Sequence, residues 1–110
     1  MSRQYWQIIM SKEDGWCLTL RGSGTLTVTK PANSPFHHFV SKIDAVSSEN
    51  FEVEILNGTA YLWQINSSAN QRVSEPFDPA LKGSVGTAVS AKVKAPNTGT
   101  SFINLIGWSG

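Results

Sequence analysis

Apolar and polar residues alternate with a period of two through most of this 110-residue chain, which is the signature of half-buried β-strands. FEVEIL (51–56) sets Phe51, Val53 and Ile55 on one side and Glu52 and Glu54 on the other. TLTVT (25–29) opposes Leu26 and Val28 to three threonines, and GTAVSAKVKA (86–95) opposes Val89, Ala91, Val93 and Ala95 to Ser90, Lys92 and Lys94. WCLTL (16–20) and FHHFVSKIDAV (36–46) read as further strands, the second with the mixed periodicity of a bulge. TAYLWQI (59–65) puts Tyr61, Trp63 and Ile65 on one face and Ala60, Leu62 and Gln64 on the other, so both faces are expected to be covered. FINLIGW (102–108) is apolar on both faces apart from Asn104, which suits a strand central in a sandwich or buried between subunits. No window of about ten residues carries the i, i+3, i+4 spacing of an amphipathic helix.

Turn residues punctuate these runs: SKEDG (11–15), RGSG (21–24), KPANSP (30–35), SSEN (47–50), NSSANQ (66–71) and PNTGTS (96–101). Pro76 and Pro79 are expected to end the strand they follow, because proline cannot donate to a ladder. Asn57-Gly58 is the strongest hairpin signal, since both residues tolerate the positive φ of a type I′ turn. QYWQIIM (4–10) makes residues 1–15 an N-terminal arm or a first strand. About seven or eight short strands then predict one all-β domain over residues 1–110, an antiparallel, jelly-roll-like β-sandwich.

Composition adds one constraint: charged residues are only 15% of the chain, where roughly a quarter is usual, so part of the surface is expected to lie under other chains. The net charge is +1, and its nine basic residues are scattered from Arg3 to Lys94, a distribution that argues against a nucleic-acid partner. Cys17 is the single cysteine and is expected to be a small buried hydrophobe without a disulfide. No apolar run is long enough to span a bilayer, and the first residues lack the pattern of a secretory signal, so synthesis and retention in a cytoplasm until assembly are expected.

Candidate chemistry is sparse. His37 and His38 are adjacent, so in a strand they point to opposite faces; Asp44 or Glu54 could add a carboxylate, but no spacing provides three metal ligands. Glu52 and Glu54 share one strand face, where paired carboxylates are ordinarily solvated, whereas a glycosidase needs them opposed across a cleft. No nucleophile-elbow, phosphate-loop, zinc-helix or dinucleotide pattern occurs. The expectation is therefore a non-enzyme with no catalytic residue, metal or cofactor. The aromatic and apolar residues Tyr5, Trp6, Ile8, Ile9, Tyr61, Trp63 and Trp108 form the candidate assembly interface, although most tryptophans also suit a core. Polar loops beside exposed aromatics would equally suit a carbohydrate-binding module.

GSGTLTVTKPANSPFHHFVSKIDA, FEVEILNGTAYLWQI, EPFDPALKGSVGTAVSAKV and the final NLIGW together resemble small β-sandwich structural proteins of tailed-phage virions, over about residues 22–108. The resemblance implies a virion component, commonly a capsid decoration or cement protein or a fibre-like accessory, acting as a homotrimer with the major capsid protein or another virion protein as partner. It supplies no catalytic residues. The chain departs from that pattern at His37-His38 and in its Tyr- and Trp-rich start. A lectin-like receptor-binding module, at a phage tail or elsewhere, is the alternative.

Overall fold

A computed structural model describes residues 11–110, which form eight strands: β1 (Ser11–Ser23), β2 (Leu26–Lys30), β3 (His38–Ser47), β4 (Phe51–Asn57), β5 (Ala60–Ser67), β6 (Val73–Lys82), β7 (Val89–Lys94) and β8 (Thr100–Ser109). They make two antiparallel four-stranded sheets, ordered β1-β8-β3-β6 and β2-β7-β4-β5. This interleaving of non-consecutive strands is the topology of a jelly roll, as the strand pattern predicted. Among the described residues no helix is long and apolar enough to cross a membrane.

The alternating positions supply the core. Leu26 and Val28 of β2, Val89, Ala91 and Val93 of β7, and Phe51, Val53 and Ile55 of β4 are buried from one sheet. Val40, Ile43 and Ala45 of β3, Ile103 and Leu105 of β8, and Val73 of β6 are buried from the other. Each fully buried valine or isoleucine contributes about 2 kcal/mol of transfer free energy. β8 lies between β1 and β3, so its two-sided apolar character has a place inside the sheet. The bulge expected in β3 falls at Ser41, between Val40 and Lys42, and returns Ile43 to the core.

Four local expectations are corrected. SKEDG is not a turn: β1 begins at Ser11, and it is the edge strand of its sheet, where turn-like sequence is tolerated. RGSG likewise continues β1 to Ser23, and the reversal is left to Gly24, with φ of 66°, whose N–H donates to the Gly99 carbonyl at 2.8 Å. Pro76 and Pro79 lie inside β6. That strand is an edge of its sheet, and Phe77–Ala80 arch out opposite Ser41, so neither proline disrupts an interior ladder. In the β4–β5 hairpin, Asn57 pairs with Ala60 and the two central residues are Gly58 and Thr59. Gly58 has φ of 63° while neither Asn57 nor Thr59 enters the left-handed region, so the turn is centred on Gly58-Thr59 with positive φ only at its first central residue, and is not the type I′ turn expected at Asn57-Gly58. Asn57 instead ties the hairpin to the next loop, its Nδ2 donating to Ser84 Oγ at 2.9 Å and its Oδ1 accepting from Ser84 N at 3.0 Å.

Candidate functional site

The outward face of the β1-β8-β3-β6 sheet is built by the residues that alternate with the core. β8 presents Phe102, Asn104, Ile106 and Trp108; opposite them in register stand Arg21, Thr19 and Cys17 on β1, and Val46, Asp44, Lys42 and Phe39 on β3. Phe39 and Trp108 are cross-strand partners whose rings stack with centroids 3.9 Å apart and an interplanar angle of 8°. Trp108 nevertheless remains 43% exposed. Phe102 is flanked by two guanidinium groups, those of Arg21 and Arg72 at 4.9 and 5.5 Å from its centroid, and Lys82 Nζ stands 5.8 Å from the Phe39 ring. Such cation–π contacts hold charged side chains flat on an aromatic surface. Between the two aromatic ends, Thr19 Oγ1 and Cys17 Sγ both donate to Asn104 Oδ1, at 2.9 and 3.0 Å. Cys17 is therefore exposed on this face and not a core hydrophobe, because it occupies the outward phase of β1.

The opposite sheet differs in character. Its outward face carries Thr27 and Thr29 of β2 and a charged ladder: Lys94 Nζ lies 3.1 Å from Glu54 and 3.6 Å from Glu52. Glu54, expected to be solvated, is 5% exposed. The hydrogen bond from Lys94 and the attraction of both carboxylates hold the Lys94 pKa above its ordinary 10.5. Glu52 and Lys94 also border a shallow cleft of about 420 Å³ with Asn50, Phe51, Asn66, Ser67 and Ser68.

The sequence-predicted interface residues are not brought to one surface. Tyr5, Trp6, Ile8 and Ile9 lie outside the described residues. The β4–β5 pairing shifts register between Ile55 and Leu56, so Tyr61 pairs with Leu56 while Trp63 pairs with the buried Ile55. Tyr61 and Trp63 consequently take opposite faces, which corrects the expectation that they share one. Tyr61 is 60% and Ile65 42% exposed, so β5 is not covered on both sides within the chain. Trp63 is half-buried against the core and meets Phe77 of β6 edge to face, with centroids 5.4 Å apart. Phe39, Arg21 and Arg72 belong to the aromatic face but escaped sequence reasoning, since only the β3–β8, β1–β8 and β3–β6 pairings bring them to it.

The histidines are structurally committed. His38 is fully buried, with Nε2 2.7 Å from the Pro31 carbonyl and Nδ1 2.7 Å from Ser109 Oγ, which also accepts from Trp16 Nε1 at 3.1 Å. The carbonyl requires a proton on Nε2; Ser109 can then accept from Trp16 and donate to Nδ1, satisfying the whole chain of groups. His37 Nδ1 lies 2.8 Å from the Gly83 carbonyl, to which it donates. Among the described residues no three His, Cys, Asp or Glu side chains gather as metal ligands.

No family model and no curated protein sequence matches the chain. Among solved structures it is similar to the insecticidal delta-endotoxin Cry8Ea1 from Bacillus thuringiensis, with a TM-score of 0.50 and 11% identity, over 86% of this chain and 19% of that one. It is also similar to the Tobacco streak virus coat protein (TM-score 0.45, 10% identity, 92% and 89% covered) and to the Yersinia pseudotuberculosis-derived mitogen (TM-score 0.38, 11% identity, 86% and 82% covered). At 11% identity the likeness to the endotoxin, only 19% of whose length the chain covers, bears on architecture alone: both contain a two-sheet β-sandwich.

Proposed function

We propose that this chain is a non-enzymatic structural protein of a virion, a capsid decoration or cement protein that works as a homotrimer on the capsid shell and is made in the host cytoplasm. The observation that carries the reading is the outward face of the β1-β8-β3-β6 sheet, where the stacked Phe39–Trp108 pair and the cation-flanked Phe102 form an ordered aromatic surface. Large aromatic side chains flanked by arginine and lysine are the residue types enriched in protein–protein contacts. The resemblance to small tailed-phage virion proteins supplies the kind of assembly. Jelly rolls serve both as shell components and as lectins, so the fold accommodates the role without deciding it.

The buried polar groups support a structural role. His38 has both ring nitrogens engaged and Glu54 is held by Lys94, so each is consumed in packing and not offered to a substrate. A trimer would bridge several shell subunits, turning modest single contacts into firm attachment through avidity.

Co-sedimentation with shells assembled from the capsid protein encoded in the same genome tests the reading. Saturable binding by the wild type is expected, lowered at least about tenfold in Trp108→Ala, whose weakened self-association removes avidity. Absence of binding at concentrations of tens of micromolar would reject it. The cleft lined by Asn50, Glu52, Asn66 and Lys94 favours a second reading, a lectin-like module, because amide, carboxylate and ammonium groups can hydrogen-bond sugar hydroxyls. Glycan-array binding that disappears in Asn66→Ala, with no shell binding, would replace the first reading by the second.

A further inference from the structure

We propose that three copies close head to tail, the cationic aromatic face of the β1-β8-β3-β6 sheet of one copy docking on the acidic β5/β6 edge of the next. This rests on the homotrimer of the proposed function and adds which surfaces meet.

The chain's charge is nearly balanced at +1, but its distribution on the described surfaces is not. The aromatic face gathers Arg21, Lys42, Arg72 and Lys82 around Phe39, Phe102 and Trp108. Asp44, a carboxylate on this face, is 7% exposed and 3.8 Å from Lys42 Nζ. At one edge of the sandwich, β5 and β6 are the outer strands of their sheets and approach through Trp63 and Phe77. β5 carries no charged residue, and β6 carries Glu75 and Asp78, with its only lysine, Lys82, at the far end over Phe39. Neither carboxylate has a basic side chain within 4.0 Å among the described residues. Exposed apolar area accompanies the acids, since Ile65, on the same face of β5 as Trp63, is 42% exposed. One surface is cationic and aromatic, the other acidic and apolar.

Symmetry then selects the arrangement. A two-fold contact uses the same patch twice, and here it would set four cations against four cations, or acids against acids. The complementary pairing is heterologous, and heterologous contacts close into rings when the rotation permits. Size points the same way. From Phe102 to Trp108 the face is ~20 Å long, and four strands make it ~15 Å across. That is roughly 300 Å² in projection, well short of the ~800 Å² per partner of a standard interface. In a ring every copy uses both its face and its edge, which doubles the contact per chain. Strand addition is not the mode, because Pro76, Pro79 and the arch at Phe77–Ala80 interrupt the free edge of β6.

The test uses the full chain, in charge-reversed pairs; Arg21, Arg72 and Asp78 are exposed and Glu75 is half-buried. Arg21→Glu with Arg72→Glu reverses the face, and Glu75→Lys with Asp78→Lys reverses the edge. Each pair is expected to weaken trimerisation at least about tenfold by light scattering, with far-UV circular dichroism unchanged, and all four together to restore it. Trimers undisturbed by either pair, or a fourfold variant that folds and stays monomeric, would overturn the contact. In the unmodified protein, trimer dissociation is expected to increase between about 0.05 and 0.5 M NaCl, and a salt-independent trimer would count equally against it. A trimer assembled in this way that ignores capsid shells would leave the contact standing and remove the decoration role. A monomer that binds shells would do the reverse.

Discussion

The indole of Trp16 lies across the α-carbon of its strand partner Gly107, so that a methyl group on that carbon would stand 2.5 and 2.6 Å from Trp16 Cη2 and Cζ2. The same methyl would also collide with the Phe39 carbonyl on the neighbouring strand. Glycine is required here for lack of a side chain, and the tryptophan covers the gap that it leaves.

Gly107→Ala is therefore expected to destabilise the fold by about 3 kcal/mol or more, because backbone and a packed ring must both yield. Gly15→Ala is the control, since its methyl would find only the Gly107 carbonyl, at 3.9 Å. Urea denaturation should separate the two variants clearly; equal midpoints would show that the Trp16 packing is wrong.

Ser109 links the same tryptophan to His38. Ser109→Ala removes the acceptor of Trp16 Nε1 and the partner of His38 Nδ1 at once, and a cost of about 1–3 kcal/mol is expected for leaving buried groups unsatisfied. A change within about 0.5 kcal/mol in chemical denaturation would mean that the buried network does not hold the Pro31 loop to the sheet end.

These contacts also show where local pattern stops being informative. Leu26, Val28, Val53 and Val93 were legible as core because each lies in a strand with one face buried and no break in its period of two. The ends of β1 and the whole of β6 were not, since edge strands tolerate turn-like and proline-containing sequence. The separation of Tyr61 from Trp63 depends on a register shift against β4, and the burial of Glu54 on Lys94 from β7. Both are consequences of pairing across long sequence separations, which no local window contains. The aromatic face was half legible: Trp108 stood out as a candidate, while Phe39 became its partner only through the β3–β8 register.

The raised pKa of Lys94 gives a pH dependence with a definite sign. A lysine whose pKa is higher in the folded protein contributes its full stabilisation below 10.5, and loses it as pH climbs through the raised value. Lys94→Met should be less stable than the wild type near about pH 8, and the gap should narrow above 10.5. A gap that stays constant across this range in urea midpoints would deny the Lys94–Glu54 coupling.

Gly58, at φ of 63°, starts the hairpin turn, and Gly58→Val is expected to destabilise by about 1–3 kcal/mol because a β-branched residue is strained there. Asn57→Ala should cost less in backbone strain but release the β6–β7 loop, whose Ser84 it holds by two hydrogen bonds. Hydrogen exchange at the Ser84 amide reads this directly: faster exchange is expected, and unchanged protection would contradict the tie.

Self-association is the property on which the structural role chiefly depends, and solution mass by light scattering over a dilution series measures it without any partner. A mass three times the 12.0 kDa of the chain, held down to low micromolar concentration and reduced in Trp108→Ala, is the expected result. A mass of 12.0 kDa at every concentration would contradict a trimeric assembly protein and leave the exposed Phe39–Trp108 stack without the partner inferred for it.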